Sequence, residues 1–359
     1  MKSAVVVCPG RGTYGKAELG CLARHFADKQ MLQEFDARRS ALGQETLTAL
    51  DGSTNYSLSR HTRGDNASAL VYAATLGDFK ALNGVEVVAV TGNSMGWYSA
   101  LACAGALSPQ AGFEVVNTMG TLMQERLIGG QLIYPFMSEN WQDDPPAKAR
   151  LLALVHDIAA RNAHHLSLSI DLGGMLVLAG NEAGLAAFEA AVPTVQGRFP
   201  MRLANHAAFH SPLQAPVAEA ARERLAETHF NQPKLPMIDG RGAIWWPGAC
   251  DTGALRSYTL GHQITRSYDF THAIGIAARE FAPDLFIVTG PGTTLGGAVA
   301  QSLILSNWLD MGSKSGFQNL QAKEPFLVSM GLETQRAAFT RQGRQAAHGS
   351  AGTLQPRQD

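Results

Sequence analysis

The stretch Val85-Glu-Val-Val-Ala-Val-Thr-Gly-Asn-Ser-Met-Gly-Trp-Tyr-Ser-Ala-Leu101 carries three local signals in an unbroken run. Residues 85–90 are mostly apolar and β-branched, the pattern of a buried strand. Gly92-Asn93-Ser94-Met95-Gly96 follows as a glycine-flanked turn, and 95–107 is rich in Ala and Leu and reads as a helix. Strand, sharp turn and helix in that order predict an α/β sheet with parallel strands. They also meet the needs of a nucleophile elbow. The serine sits in a strained turn, and its neighbours must be small so that strand and helix can approach. Such a turn lifts the Ser94 hydroxyl clear of the sheet, beside a helix N-terminus that stabilises negative charge.

Outward from this turn the same rhythm recurs. Ala4-Val-Val-Val7 is a short buried strand that breaks at Pro9-Gly10-Arg11-Gly12. Residues 67–82 place apolar side chains at helical spacing and stop at Asn83-Gly84. Leu285-Phe-Ile-Val288, ahead of Thr289-Gly-Pro-Gly292, reads as a late interior strand. Between 130 and 203 the order becomes strand, helix, strand, strand, helix, strand, the ferredoxin-like split motif. The expected architecture is therefore an α/β-hydrolase-like parallel-sheet core, 1–129 and 204–330, with an inserted ferredoxin-like subdomain at 130–203. Residues 331–359, rich in Gln, Arg, Gly and Ala without apolar period, are expected to be a flexible tail.

Composition narrows the function classes. Of 359 residues 45% are hydrophobic and only 16% charged, which excludes a disordered, solvating chain. With 29 basic against 30 acidic residues, nucleic acid is not the expected partner, since phosphate binding needs concentrated positive surface. No apolar run approaches the roughly 18 residues of a membrane span. Cys8, Cys21, Cys103 and Cys250 lack metal-ligand spacing, so reduced thiols in a cytoplasmic protein, with no metal site, are expected.

Two further features compete for function. Gly10-Arg-Gly-Thr-Tyr-Gly15 is a literal G-x-G-x-x-G after the first strand. A dinucleotide site would need a helix opening at its third glycine, then a strand ending in an acidic residue about twenty positions on. Glu34 and Asp36 lie in a stretch that does not read as an interior strand, so a backbone loop facing Ser94 is the stronger reading. Among eleven histidines, His210 lies in Leu203-Ala-Asn-His-Ala-Ala-Phe-His-Ser-Pro-Leu213, where the subdomain returns the chain to the core. Phe209 and the turn-forming Ser211-Pro212 suit an imidazole fixed at a cleft, with His206 the nearest rival as general base.

The turn continues as Gly92-Asn-Ser-Met-Gly-Trp-Tyr-Ser-Ala-Leu101, Ala104-Gly-Ala-Leu-Ser108 and Gly120-Thr-Leu-Met-Gln124. Together with Pro9-Gly-Arg-Gly12, Ala208-Phe-His-Ser-Pro-Leu213 and Gly290-Pro-Gly292 before Leu295, these motifs fall in order over 4–305. The chain resembles the malonyl-CoA:acyl-carrier-protein transacylases and the acyltransferase domains of polyketide synthases. The resemblance implies a ping-pong reaction with Ser94 as nucleophile and His210 as its base. Acyl-CoA and a phosphopantetheinyl acyl carrier protein are then the substrates, with no bound cofactor; a cytoplasmic monomer is expected besides. It implies an oxyanion hole from the amides of Met95 and Arg11, and a main-chain carbonyl orienting His210, expected from Asp239-Gly-Arg241.

Four positions depart from the family pattern. Met119 stands where an Arg usually clamps the malonyl carboxylate, and Arg126 is two helical turns away. Arg11 replaces Gln and offers charge from the opposite wall. Asn93 replaces the common His before the nucleophile, and Trp97 a common acidic residue. Phe209 matches the form that crowds α-branched acyl groups. With Asn93, Trp97, Met119 and Phe209 as the expected acyl pocket, these changes point to an altered, unbranched acyl group. A thioester hydrolase on the same scaffold is the alternative, and a dinucleotide-binding oxidoreductase or an inactive docking module stands behind it.

Overall fold

The structure, a computed structural model, describes residues 1–340. Its strands are β1 (Lys2–Cys8), β2 (Val85–Gly92), β3 (Gly130–Pro135), β4 (Leu166–Leu172), β5 (Met175–Gly180), β6 (Met201–Arg202), β7 (Met237–Ile238), β8 (Ile244–Trp245), β9 (Tyr268–Asp269), β10 (Leu285–Val288) and β11 (Leu327–Ser329). Six of them form one sheet in the order β11-β10-β1-β2-β7-β8. All its pairs are parallel except β7 with β8. Helices cover both faces, so β1 and β10 are buried throughout from Ala4 to Cys8 and from Leu285 to Val288. Continuous apolar runs, rather than alternation, are what a doubly covered parallel sheet requires. The strand pair at the centre, β1 and β2, ends side by side at Cys8 and Gly92, and the candidate site sits just past those ends.

The two long helices beside the site owe their approach to glycine. A Cβ on Gly64, in helix Gly64–Ala81, would meet the Gly120 carbonyl oxygen at 2.7 Å. Reciprocally, one on Gly120, in helix Pro109–Arg126, would meet the Gly64 oxygen at 2.5 Å. The buried Arg39 guanidinium locks the pair from the side, donating to the Asp65 carbonyl and to the Asn66 and Asn117 side-chain oxygens at 2.6–2.8 Å. Every acceptor is a neutral oxygen, which satisfies the donors of a charge that burial would otherwise penalise. This close crossing is what brings Met119 up to the site.

The second sheet runs β6-β3-β5-β4-β9. Between 130 and 202 the elements follow strand, helix Pro145–Ala159, two strands, helix Glu182–Ala191 and a last strand, and these four strands pair antiparallel. Two details differ from the sequence reading. The last strand is only Met201–Arg202, because Pro193 and Pro200 remove donors from the segment before it. The sheet is also not closed by the insertion alone, since β9, from the core, pairs in parallel with β4 through Ile170–Tyr268 and Asp171–Asp269.

A flexible tail was expected from 331, but residues 331–340 are ordered against the core. Helix Glu333–Ala338 packs on the core, and Arg336 is 7% exposed and ion-paired with buried Asp78. Asp78 also accepts from the Gly290 amide at 2.9 Å, so one carboxylate ties this helix to the loop after β10. Burial pushes the Asp78 carboxyl up to about 6 against the opposing pull of Arg336. The helix escaped notice because polar contacts, not an apolar stripe, hold it. The remainder of the expected tail, 341–359, lies outside the described residues. Among the described residues no helix is long and apolar enough to cross a membrane, and all four cysteines are buried and unbridged.

Candidate active site

The turn after β2 is fixed by sterics on both sides. A Cβ on Gly92 would stand 2.3 Å from the Gly96 carbonyl carbon, and one on Gly96 would stand 2.1 Å from the Cys8 oxygen. Only glycine fits at either position, so the chain between them is forced into a tight reversal. Ser94 takes the strain at φ +55°, a left-handed conformation uncommon for a side chain with a Cβ. The turn is braced from β1, where the Asn93 amide donates to the Cys8 carbonyl at 2.9 Å. The loop after β1 presses against it too, since a Cβ on Gly10 would lie 3.5 Å from the Ser94 Cβ.

His210 reaches this turn from the segment that leaves the small sheet. Its Nε2 lies 2.7 Å from Ser94 Oγ, and its Nδ1 lies 2.6 Å from the Gln263 carbonyl oxygen. A carbonyl only accepts, so Nδ1 carries the proton and Nε2 is left to accept from the serine. Burial lowers the His210 pKa to about 4, while the bond to Gln263 pulls the other way. The ring is therefore neutral, and able to act as a base, throughout the ordinary pH range. Like Ser94, His210 has a positive φ, +54°, so both reacting groups sit on strained backbone.

Gln263 was not legible in the sequence, nor was its setting. It follows a π-helical turn, Tyr258–His262, of the kind that reorients backbone groups at functional sites. Besides its carbonyl on His210, its side-chain amide donates to the Ser94 carbonyl at 3.0 Å and accepts from the Tyr98 hydroxyl at 2.8 Å. One residue thus holds nucleophile and base in register. Tyr268 adds a second brace, its ring 5.4 Å from that of His210 and its hydroxyl donating to the Gly92 carbonyl at 2.6 Å. The carbonyl expected from 239–241 is not used. Buried Asp239 instead binds Arg241 and the Trp245 indole and closes its own turn. A backbone carbonyl has no residue signature, which is why the sequence pointed to the wrong segment.

The other expected site residues divide. Met119 and Phe209 line a small pocket with Ser94, Met95, Arg11 and His210, closed by Ser68, Tyr98, Met123 and Ile264. Its free volume of about 30 Å³ suits two or so water-sized groups. Trp97 is not part of it. The indole is fully buried, donates from Nε1 to Thr259 Oγ1 at 3.0 Å and packs edge-on to Tyr258. One helical turn past Ser94, its side chain points into the core behind the site. Asn93 lines a neighbouring cleft of about 770 Å³ between the core and the small sheet. His206 is held away from Ser94 by the Gln131 side chain, at 2.8 Å from its Nδ1. Gln131 also donates to Ser169, which donates to the Phe209 carbonyl, so the small sheet steadies the loop that carries His210.

Arg11 borders both the pocket and the cleft. One guanidinium nitrogen donates to the Thr62 and Asn205 carbonyls at 2.8 and 2.9 Å, and the group lies over the Phe209 ring. Burial lowers its pKa to about 10. Arg126 is turned outward, donating to the Pro216 carbonyl. Neither the Met95 nor the Arg11 amide is taken by an acceptor among the described residues. After its third glycine the Gly10–Gly15 loop opens only a three-residue turn, Lys16–Glu18, and Glu34 and Asp36 lie on helix Lys29–Ala41. A dinucleotide site needs a full helix and a second strand there. Among the described residues no group of three or more His, Cys, Asp or Glu side chains could hold a metal ion.

Malonyl CoA-acyl carrier protein transacylase of Escherichia coli K12 is 24% identical over 300 residues, spanning 83% of this chain and 92% of its own. The crystal structure of the malonyl-CoA:acyl carrier protein transacylase of Xanthomonas oryzae superposes with a TM-score of 0.73 at 20% identity, covering 95% of this chain and 99% of that one. The chain is a relative of the malonyl-CoA:acyl-carrier-protein transacylases. A stretch of a Mycobacterium marinum polyketide synthase, 27% identical over 249 residues, and the acyltransferase domain of a salinomycin polyketide synthase module match as well. A malonyl-transacylase solved in complex with a type II polyketide acyl-carrier protein shares the transacylase fold at a TM-score of 0.66 and 19% identity, covering 90% of this chain and 100% of that one. No family profile matches the chain.

Proposed function

We propose that the chain is an acyl-carrier-protein S-acyltransferase that takes a short, unbranched acyl group from acyl-CoA and passes it through an acyl-serine to a carrier-protein thiol. The observation that carries this reading is the 2.7 Å contact between Ser94 Oγ and a buried, neutral His210. In the first half-reaction Nε2 takes the hydroxyl proton as Oγ attacks the thioester carbonyl. The Met95 and Arg11 amides hold the oxyanion. As the intermediate collapses, the carbon–sulfur bond breaks and the His210 proton goes to the departing thiol. In the second half-reaction a pantetheine thiol gives its proton to His210 and attacks the acyl-serine; the ester bond to Ser94 Oγ then breaks, and His210 returns the proton to Oγ. Because Gln263 fixes the ring through Nδ1, no acidic third residue is needed to set the tautomer.

The size and chemistry of the pocket support the choice of acyl group. Its apolar lining includes Met119, Met123, Phe209 and Ile264, around the nucleophile Ser94. A carboxylate at Met119 would have only Arg11 among the lining residues as a cation, and that guanidinium already donates to the Thr62 and Asn205 carbonyls. Transfer, rather than hydrolysis, is favoured by the cleft beside Ser94, which is large enough for a pantetheine arm. The test is to load the enzyme with acetyl-CoA and malonyl-CoA and follow both acyl-carrier-protein and free acid. Acyl transfer should exceed acid release with holo-carrier in excess, and free acid as the main product would turn the reading to a hydrolase. Met119→Arg should raise malonyl over acetyl loading about tenfold or more. An unchanged ratio would place carboxylate recognition elsewhere.

A further inference from the structure

Asn93 carries an unexplained carboxamide. The residue is only 9% exposed, its Oδ1 is wholly buried, and its side chain makes no hydrogen bond among the described residues. Its backbone cannot shift to cure this, because the amide is bonded to Cys8 and the carbonyl accepts from Gly96, the two contacts that shape the nucleophile turn. Buried polar groups are almost always paired, so this orphan beside the reacting atoms calls for a partner. The carboxamide lies in the wall of the large cleft, next to Gly10 and Arg11 and one residue before Ser94.

We propose that Asn93 binds the first amide of the pantetheine arm, the group shared by CoA and the carrier-protein prosthetic arm. In such a thioester the amide nitrogen is two methylenes from the sulfur, and the sulfur is bonded to the carbon that Ser94 attacks. A side chain adjacent in sequence to the nucleophile and opening on the cleft is therefore at the right remove. A carboxamide is also the right chemistry, since its Nδ2 donates to an amide C=O, and a half-turn about the terminal bond exchanges Nδ2 with the buried Oδ1 to accept from an amide N–H. The bond orients the thioester in the first half-reaction and the incoming thiol in the second. Asn93 is on this view a binding residue for the carrier arm, not for the acyl group. The inference rests on the acyltransferase reading and adds to it.

The test compares two acetyl donors of equal length, S-acetyl-N-acetylcysteamine, which has the amide, and S-pentyl thioacetate, which does not. The rate of Ser94 acylation is followed by intact-protein mass spectrometry. The native enzyme should prefer the amide donor about fivefold to tenfold, the value of one buried neutral hydrogen bond. Asn93→Ala should bring that ratio close to one, the loss falling mainly on the amide donor. An equal loss on both donors, in Asn93→Ala and in the milder Asn93→His alike, overturns the proposal, as does a native enzyme blind to the amide. Failure of every acyl donor to label native Ser94 would instead strike the acyltransferase reading itself.

Discussion

The nucleophile turn and the acyl pocket touch at Ser94, yet they are specified in opposite ways. The turn is dictated by backbone contact: Gly92 and Gly96 lie so close to the Gly96 and Cys8 carbonyl groups that no side chain fits. The pocket is dictated by side chains from distant parts of the chain, Met119, Met123, Phe209 and Ile264, each of which another apolar side chain of similar volume could replace. The first region can change little without loss of structure, whereas the second can change its occupant one residue at a time. The chemistry is thus fixed by geometry, and the substrate is left open to substitution.

That contrast breaks most sharply at the base. His210→Ala should lower acyl-enzyme formation about 10²- to 10⁴-fold with little change in which acyl-CoA is preferred. A changed preference without loss of rate would mean that the two regions are not separable. The pH profile sharpens the same point. His210 is neutral above its lowered pKa of about 4, so acylation should be flat from neutral pH down to about 5 and fall only below that. A descending limb centred near 6.5, the ordinary histidine value, would mean the ring is more hydrated than the structure places it.

A smaller effect tests the border between the regions. Trp97 stands where the resemblance suggested a pocket residue, but it lies in the core against Thr259 and Tyr258. Trp97→Phe should cost about 1–3 kcal/mol in unfolding free energy, from a lost hydrogen bond and a partly emptied site, and leave the acetyl-to-malonyl ratio unchanged. Denaturant unfolding and paired loading assays check both halves. A shifted ratio at unchanged stability would return Trp97 to the pocket.

What could be read in advance follows the same division. Strand, glycine turn and helix at 85–107 announced themselves because sterics leave few residues able to build them, and the apolar runs at β1 and β10 did so because a doubly covered strand must be apolar. His210 was legible through its bracketing by Phe209 and Ser211-Pro212. Gln263 was not, because its decisive atom is a carbonyl that every residue owns. Helix Glu333–Ala338 was missed for a related reason, being held through the Arg336–Asp78 pair rather than by apolar spacing. The direction of Trp97 depended on which side of a helix faces the pocket, and that is settled only when the π-helical turn at Tyr258–His262 is in place.

The central claim is that Ser94, activated by His210, becomes acylated. Incubation of the native protein with acetyl-CoA, followed by intact-mass measurement and peptide mapping, should show one acetyl group on Ser94, removed by holo-acyl-carrier-protein. Ser94→Ala should remain unlabelled under the same conditions. Labelling of Ser94→Ala at native extent, or a native protein unlabelled by every short acyl-CoA, would contradict it.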